Sequence, residues 1–277
     1  MPDTTNETTN ETTNETTNET TDETTKPIRL GGMLFTLVEP HKGHEVAYNR
    51  WYERDHFYAG CMIGADCFAG GRFVATKACK DRRYPATSSF TDDPSAGSYL
   101  ALYWILRGRF GSWIQWGTDQ VHRLHADNRM FEHREHVHTL MYRFHGARTP
   151  VTDGMPVELA LDRCFPGIVA VVGEIAEGHA LVEVDEWFGE RPAPAELVAT
   201  FTPIPLPDDV PEDVKGDVGH DRFIQLAFIA GDPLAAFDEH FMTLGDDLAA
   251  RGLGEIVFAS PFLRTIPGTD TYADELR

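Results

Sequence analysis

Two stretches of this chain set out apolar and amphipathic runs in the same order, and that doubling constrains the fold more than any other feature. In residues 28–149, Met33–Val38 is an apolar strand, closed by Glu39-Pro40 and Gly43. From His44 to about Met62, Val46, Trp51, Tyr52, Phe57 and Tyr58 recur at helical spacing among charged residues. Asp66–Cys79 reads as extended and 80–97 as a long polar loop. Ser98–Leu106 is a strong strand, Trp113 to about Asn128 a second helix, and Glu135–Phe144 a closing strand. Residues 150–277 repeat the pattern as strand Gly167–Glu177, helix Ala180–Glu190, strands Ala199–Ile204 and Asp221–Ile229, helix Asp232–Arg251 and strand Ile256–Ile266. Asp232 caps that last helix, Pro233 takes its first turn, and Phe237, Phe241, Leu244 and Leu248 form one face.

Each stretch is therefore β-α-β-β-α-β, a ferredoxin-like unit. One open sheet leaves a face uncovered, whereas two such units cover each other. The expected fold is α+β: two ferredoxin-like units in tandem, 28–149 and 150–277, forming a pseudodimeric α/β-barrel. A monomer is then the minimal folded unit, and a homodimer of such chains is compatible with it. Residues 1–27 stand apart as a tail. Thr4–Thr25 repeats Thr-Thr-Asn-Glu with no apolar side chain, so nothing offsets the entropy of ordering it, and disorder is expected there.

Charge separates the two units further. The formal net charge is −20, against the basic surface that phosphate recognition needs, so a nucleic-acid partner is not expected. Residues 26–149 carry 17 Lys and Arg against 12 Asp and Glu, whereas 150–277 carry 7 against 25. Nine of the twelve histidines also fall in the first of these segments, which places the chemistry there. No apolar run is long enough to span a membrane. Cys61, Cys67, Cys79 and Cys164 show no paired spacing and fit free thiols in a reducing, cytoplasmic setting.

The first strand and the stretch Tyr48-Asn49-Arg50-Trp51-Tyr52-Glu53-Arg54-Asp55-His56 resemble the dimeric α/β-barrel superfamily, and within it EthD-like proteins, which carry a comparable Trp-Tyr…His stretch on their first helix. The resemblance implies two sheets packed together around a cavity for small organic molecules. It also implies a choice among isomerases, cyclases, cofactor-independent monooxygenases and haem enzymes. This chain departs from the pattern in carrying both units covalently. Asp185–Pro192 matches Asn49–His56, with Trp187 in the place of Trp51 and Pro192 in that of His56, so a symmetric pair of sites is reduced to one.

His56 is the leading catalytic residue, an imidazole able to move a proton near neutral pH, with Tyr52 and Asn49 positioned by spacings of three and four to orient a substrate oxygen. The alternative for His56 is a plain polar residue at a helix end. Trp51, Tyr103, His136 and His138 are the expected substrate-binding residues. His136 and His138, two apart on a strand, share a face in this reading. His122, His125, His133 and His145 complete a histidine-rich region. It lacks any HExxH spacing, so no metal site is assigned, and haem or a histidine-bound metal stay as lesser alternatives. The partner expected is a small hydrophobic, aromatic or polyketide-like molecule, transformed by acid/base chemistry such as isomerisation, cyclisation or cofactor-independent oxygenation. The rival reading is a non-catalytic binding or accessory protein for a hydrophobic ligand or protein partner.

Overall fold

The computed structural model describes residues 27–191, 194–205 and 216–277. The expectations placed on the Thr/Asn/Glu repeat and on Pro192 lie outside them. The chain forms eight strands, β1 (Leu30–Pro40), β2 (Cys67–Val74), β3 (Tyr99–Leu106), β4 (Arg134–Arg148), β5 (Gly167–Ile175), β6 (Ala195–Ile204), β7 (Arg222–Ile229) and β8 (Gly254–Arg264). They close into a barrel in the order β1-β3-β2-β8-β5-β7-β6-β4. Every neighbouring pair is antiparallel. Within each half the strand order is fourth-first-third-second, the ferredoxin-like arrangement. The fold is two such units in tandem, sealed by β2 against β8 and β4 against β6. Closure leaves no sheet edge unpaired.

Both faces of the sheet are covered, which is why the strands read as nearly continuous apolar runs. Along β1, Met33, Phe35 and Leu37 point into the barrel, while Leu34, Thr36 and Val38 point out toward the helices. The interior is filled by Trp104, Phe201, Phe228, Phe258 and Phe262 among others. An eight-stranded barrel has room for its own side chains or one small ligand, and here buried side chains pack the interior. The ligand space expected between the two sheets is therefore occupied, and the useful space lies outside the barrel, under the helices of the first half.

The helical layer departs from the sequence pattern in three places. The first helix is α1 (Glu45–Trp51) continued by a π-helical segment, Tyr52–Met62. Cys79, expected in a strand, sits in the short α2 (Lys77–Lys80). The helix α3 (Phe110–Ala126) precedes β4, and α4 (Leu181–Gly189) follows β5. The single helix expected over Asp232–Arg251 is two, α5 (Pro233–His240) and α6 (Leu244–Ala250), broken after Phe241. Asp232 does cap α5, accepting from the Leu234 N–H at 2.9 Å.

Candidate functional site

A cavity of about 110 Å³ lies between the outward face of β1 and β4 and the helices covering it, the π-helical segment and α3. Its walls are largely apolar, with Leu34, Val38, Ile114, Val121 and Met141 in the lining, and Met130 joins them from the turn between α3 and β4. Polar groups gather in it from both the helical and the strand side, with Thr118 from α3. Tyr52, His56 and Cys61 come from the π-helix, and Thr36, Arg134, His136 and Thr139 from the strands.

The π-helix decides which side chains reach the pocket. Its wider turn brings residues four and five apart into register, so Tyr52, His56, Gly60 and Cys61 line one side. His56 is partly exposed as a residue, yet its Nδ1 is fully enclosed and makes no hydrogen bond. The imidazole stacks on the Trp51 indole and meets the Tyr52 ring edge-on. On its other side stands Gly60, where a Cβ would come within 2.7 Å of His56 Cε1. Burial pushes the His56 pKa down to about 3, helped by the positive charge of Arg134 and by His136, His125 and Arg129. The ring is therefore neutral at neutral pH, a weak base whose Nδ1 is open to accept a hydrogen bond.

Behind these residues lies a second layer. Tyr52 Oη and Tyr103 Oη are 2.9 Å apart, and burial raises the pKa of both phenols well above the ordinary value. Trp51 Nε1 donates to the Arg129 carbonyl at 2.7 Å, and Arg129 pairs with Asp55. Trp51 and Tyr103 thus stand behind the lining residues His56 and Tyr52. On the sheet side, His136 Nδ1 lies 2.8 Å from Thr139 Oγ1, which lies 2.8 Å from Thr36 Oγ1. The result is a short relay of exchangeable hydrogens along the pocket floor. Arg134 Nη1 donates to the Phe131 carbonyl, and its guanidinium lies 5.5 Å from the Trp51 ring centre.

Two expected residues are elsewhere. His136 and His138 do not share a face, because β4 carries a bulge between them: Val38 pairs with His136, while Leu37 pairs with His138. One extra residue flips the alternation. His138 therefore points into the barrel, stacked on Phe90 at 4.1 Å with Nε2 2.7 Å from Tyr142 Oη. Asn49 is buried, but its Nδ2 donates to the Thr269 carbonyl at 3.0 Å, tying down the segment after β8. Glu53, from the same expected face, accepts from Gly268 N–H. The histidine-rich region is likewise dispersed, with His122 and His125 exposed on α3.

Sequence reasoning missed Arg134, Thr36 and Thr139. Thr36 was visible as the one hydroxyl in the run Met33–Val38, and Arg134 precedes His136 by two on a strand. In the second half, the space under α4 and α5 is only about 30 Å³ and is lined by Phe188, Phe241 and Arg191 among others. It lies on β5, β6 and β7, whereas the first-half pocket lies on β1 and β4.

No family model and no curated protein matches the chain. Solved structures that resemble it include a proposed monooxygenase from Lactobacillus acidophilus NCFM, at 10% identity and TM-score 0.42, covering 85% of this chain and 94% of that one. A proposed chlorite dismutase has 12% identity and TM-score 0.49 over 90% and 100% of the two chains. An anthrone oxidase-like protein has 8% identity and TM-score 0.47 over 88% and 98%. At these identities the likenesses say nothing about reaction or ligand.

Among the described residues, no group of three or more His, Cys, Asp or Glu side chains is arranged to hold a metal ion. A porphyrin is far larger than the space of about 110 Å³, so the site as built does not fit haem. No helix among them is long and apolar enough to cross a membrane.

Proposed function

We propose that this chain is an enzyme that moves a proton on a small, largely apolar organic molecule held against His56, a member of the dimeric α/β-barrel superfamily with EthD-like features. One observation carries the reading: a largely apolar pocket whose lining holds both the His56 imidazole, with a buried and unbonded Nδ1, and the Arg134 guanidinium. His56 takes a proton from carbon beside a carbonyl, and the electron pair moves onto the oxygen. Arg134 then stabilises the enolate, an electrostatic role that counts most where water is excluded. Returning the proton to a different carbon completes an isomerisation, and ring closure or reaction of the carbanion with dioxygen are the other exits. Tyr52 shapes the ligand's seat, and the His136 imidazole with the Thr139 and Thr36 hydroxyls forms a chain of exchangeable protons beside it.

The test follows the full chain in D₂O with single-ring enolisable ketones and lactones, reading deuterium at carbon by NMR and oxygen uptake in parallel. At least one compound should exchange about a hundredfold above background, with His56→Ala losing the rate while ligand binding survives. Saturable binding with neither exchange nor oxygen uptake overturns the reading. It would leave the binding-protein alternative, which the low basicity of His56 favours.

A further inference from the structure

A glycine near the middle of a long helix weakens it, and Gly117 in α3 is one that its neighbours do not require. Gly60 and Gly64 are forced by contact. A Cβ on the first would stand 2.7 Å from His56 Cε1, and on the second 2.7 Å from Trp116 Cε3. At Gly117 a Cβ would meet only the Trp113 ring, at 4.0 Å, an ordinary contact. Alanine there would strengthen the helix without a clash. What the glycine leaves is room, because it lines the cavity of about 110 Å³. The frame around that room is fixed. Gln120 of α3 donates through Nε2 to the Ala59 carbonyl at 2.8 Å, tying α3 to the π-helix beside Gly60.

The rest of the wall narrows what the room can accept. An apolar cavity of roughly 150 Å³ accepts benzene, so a space of about 110 Å³ sets one ring as the limit. No Asp or Glu is among the described lining residues, so an ammonium finds no counter-charge. Arg134 is engaged by the Phe131 carbonyl and lies beside the Trp51 ring. A carboxylate would therefore leave water for a largely apolar wall, at a cost that a neutral ligand avoids. Much of the polar lining is likewise committed within the protein, Tyr52 Oη to Tyr103 Oη, and Thr139 Oγ1 to Thr36 and His136. His56 differs, with an enclosed Nδ1 that makes no hydrogen bond.

We propose that Gly117 sets ligand size in this pocket, and that the ligand is a neutral single-ring molecule with one hydroxyl or carbonyl directed to His56. The ring takes the space that a side chain at position 117 would fill. This rests on the reading of the pocket as the site of chemistry, and it is tested on binding alone.

The experiment is calorimetry on the full chain at pH 7.5. Benzyl alcohol, benzoate and benzylamine share one ring and differ in charge, 2-naphthylmethanol adds a fused ring, and cyclopentanol is a smaller neutral ring. Benzyl alcohol should bind at least tenfold more tightly than benzoate, benzylamine or 2-naphthylmethanol. Gly117→Ala should keep or raise Tm and weaken benzyl alcohol about tenfold, while cyclopentanol stays within about threefold. A helix that needed its glycine for packing would instead lose stability and both ligands together. His56→Phe, which keeps a ring against Trp51, should weaken benzyl alcohol about tenfold. Benzoate, benzylamine or 2-naphthylmethanol binding as tightly as benzyl alcohol overturns the ligand class, as does no binding by any of the five. Unchanged benzyl alcohol affinity in Gly117→Ala, or a variant that fails to fold, overturns the role of Gly117. Selective binding of benzyl alcohol in a chain that exchanges no deuterium removes the catalytic reading and keeps this one. Turnover of fused-ring or charged compounds does the reverse.

Discussion

The His56 imidazole lies face to face with the Trp51 indole, with 4.5 Å between ring centres and 18° between planes. The two residues are five apart, a spacing that an α-helix turns to different sides and a π-helix stacks. The stack therefore comes from the local backbone. It also encloses His56, and the enclosure is what lowers its basicity. Trp51→Ala should raise the His56 pKa from about 3 toward the ordinary 6.5, read by NMR titration of the imidazole. A pKa unchanged in the variant would show that the indole is not the cover.

Gly60 is the complementary support. Replacing it with Ala ordinarily favours a helix by about 1 kcal/mol, but here the new Cβ would meet the imidazole at 2.7 Å and push it toward the cavity. Gly60→Ala should keep or raise Tm while cutting turnover or ligand affinity at least tenfold. A variant with unchanged binding and turnover would mean that the position of His56 does not matter to the pocket.

The tandem βαββαβ order was legible because apolar periodicity survives in strands covered on both faces and in α3, which bury wide stripes. The division of α5 from α6 was not, since Phe237, Leu244 and Leu248 keep helical spacing across the break. The site was half legible. The Trp51–His56 stretch led to the right helix, but a π-turn leaves no mark in residue type, so Asn49 was assigned to the face of His56 instead of to the Thr269 carbonyl. His138 was misplaced for a similar reason. A one-residue bulge is invisible in a sequence whose alternation continues on either side of it, and it reverses every side chain beyond.

His138 gives a prediction about stability rather than activity. Its ring is 1% exposed and its pKa is pushed down to about 3 by burial and then by the Arg222 charge, whereas the unfolded chain takes up the proton near 6.5. Between those values the unfolded state binds more protons than the folded one, so stability is complete above pH 6.5 and falls as the pH drops toward 3. By pH 5 this histidine alone costs about 2 kcal/mol relative to neutral pH. His138→Gln, which keeps a polar group near Tyr142, should start less stable at pH 7.5 and then lose less between pH 7.5 and 5. Parallel slopes for the two proteins in chemical denaturation would contradict the assignment.

His56 makes a separate statement about rate. If it is the base, kcat/KM follows its neutral form in the free enzyme. That form persists down to about pH 3, so the acidic limb belongs well below the pH 6.5 of an ordinary histidine. Trp51→Ala should carry the limb upward with the His56 pKa, so the two measurements check each other. A limb near pH 6.5 in the unmodified enzyme would assign the base elsewhere, His136 being the next imidazole in the lining.

The difference between the halves fixes the stoichiometry. The first half keeps about 110 Å³ open over β1 and β4, whereas the space under α4 and α5 in the second, over β5, β6 and β7, is about 30 Å³. Phe188 and Phe241 fill the latter, and the Arg191 guanidinium lies 4.8 Å from the Trp187 ring centre, the counterpart of the Trp51 whose indole carries His56. A space of about 30 Å³ holds a water or two and no ring. Benzyl alcohol titrated into the full chain should therefore saturate at one site per chain. Gly117→Leu, which sets a bulky side chain into the first-half cavity, should abolish that site without lowering Tm much, because its Cβ has space. Phe241→Ala should open room in the second half, yet bind benzyl alcohol no better, since Thr36, Tyr52, His56 and Arg134 line the first-half pocket instead. Two equivalent sites per chain, or binding that survives Gly117→Leu, would place the ligand outside the pocket under the π-helix.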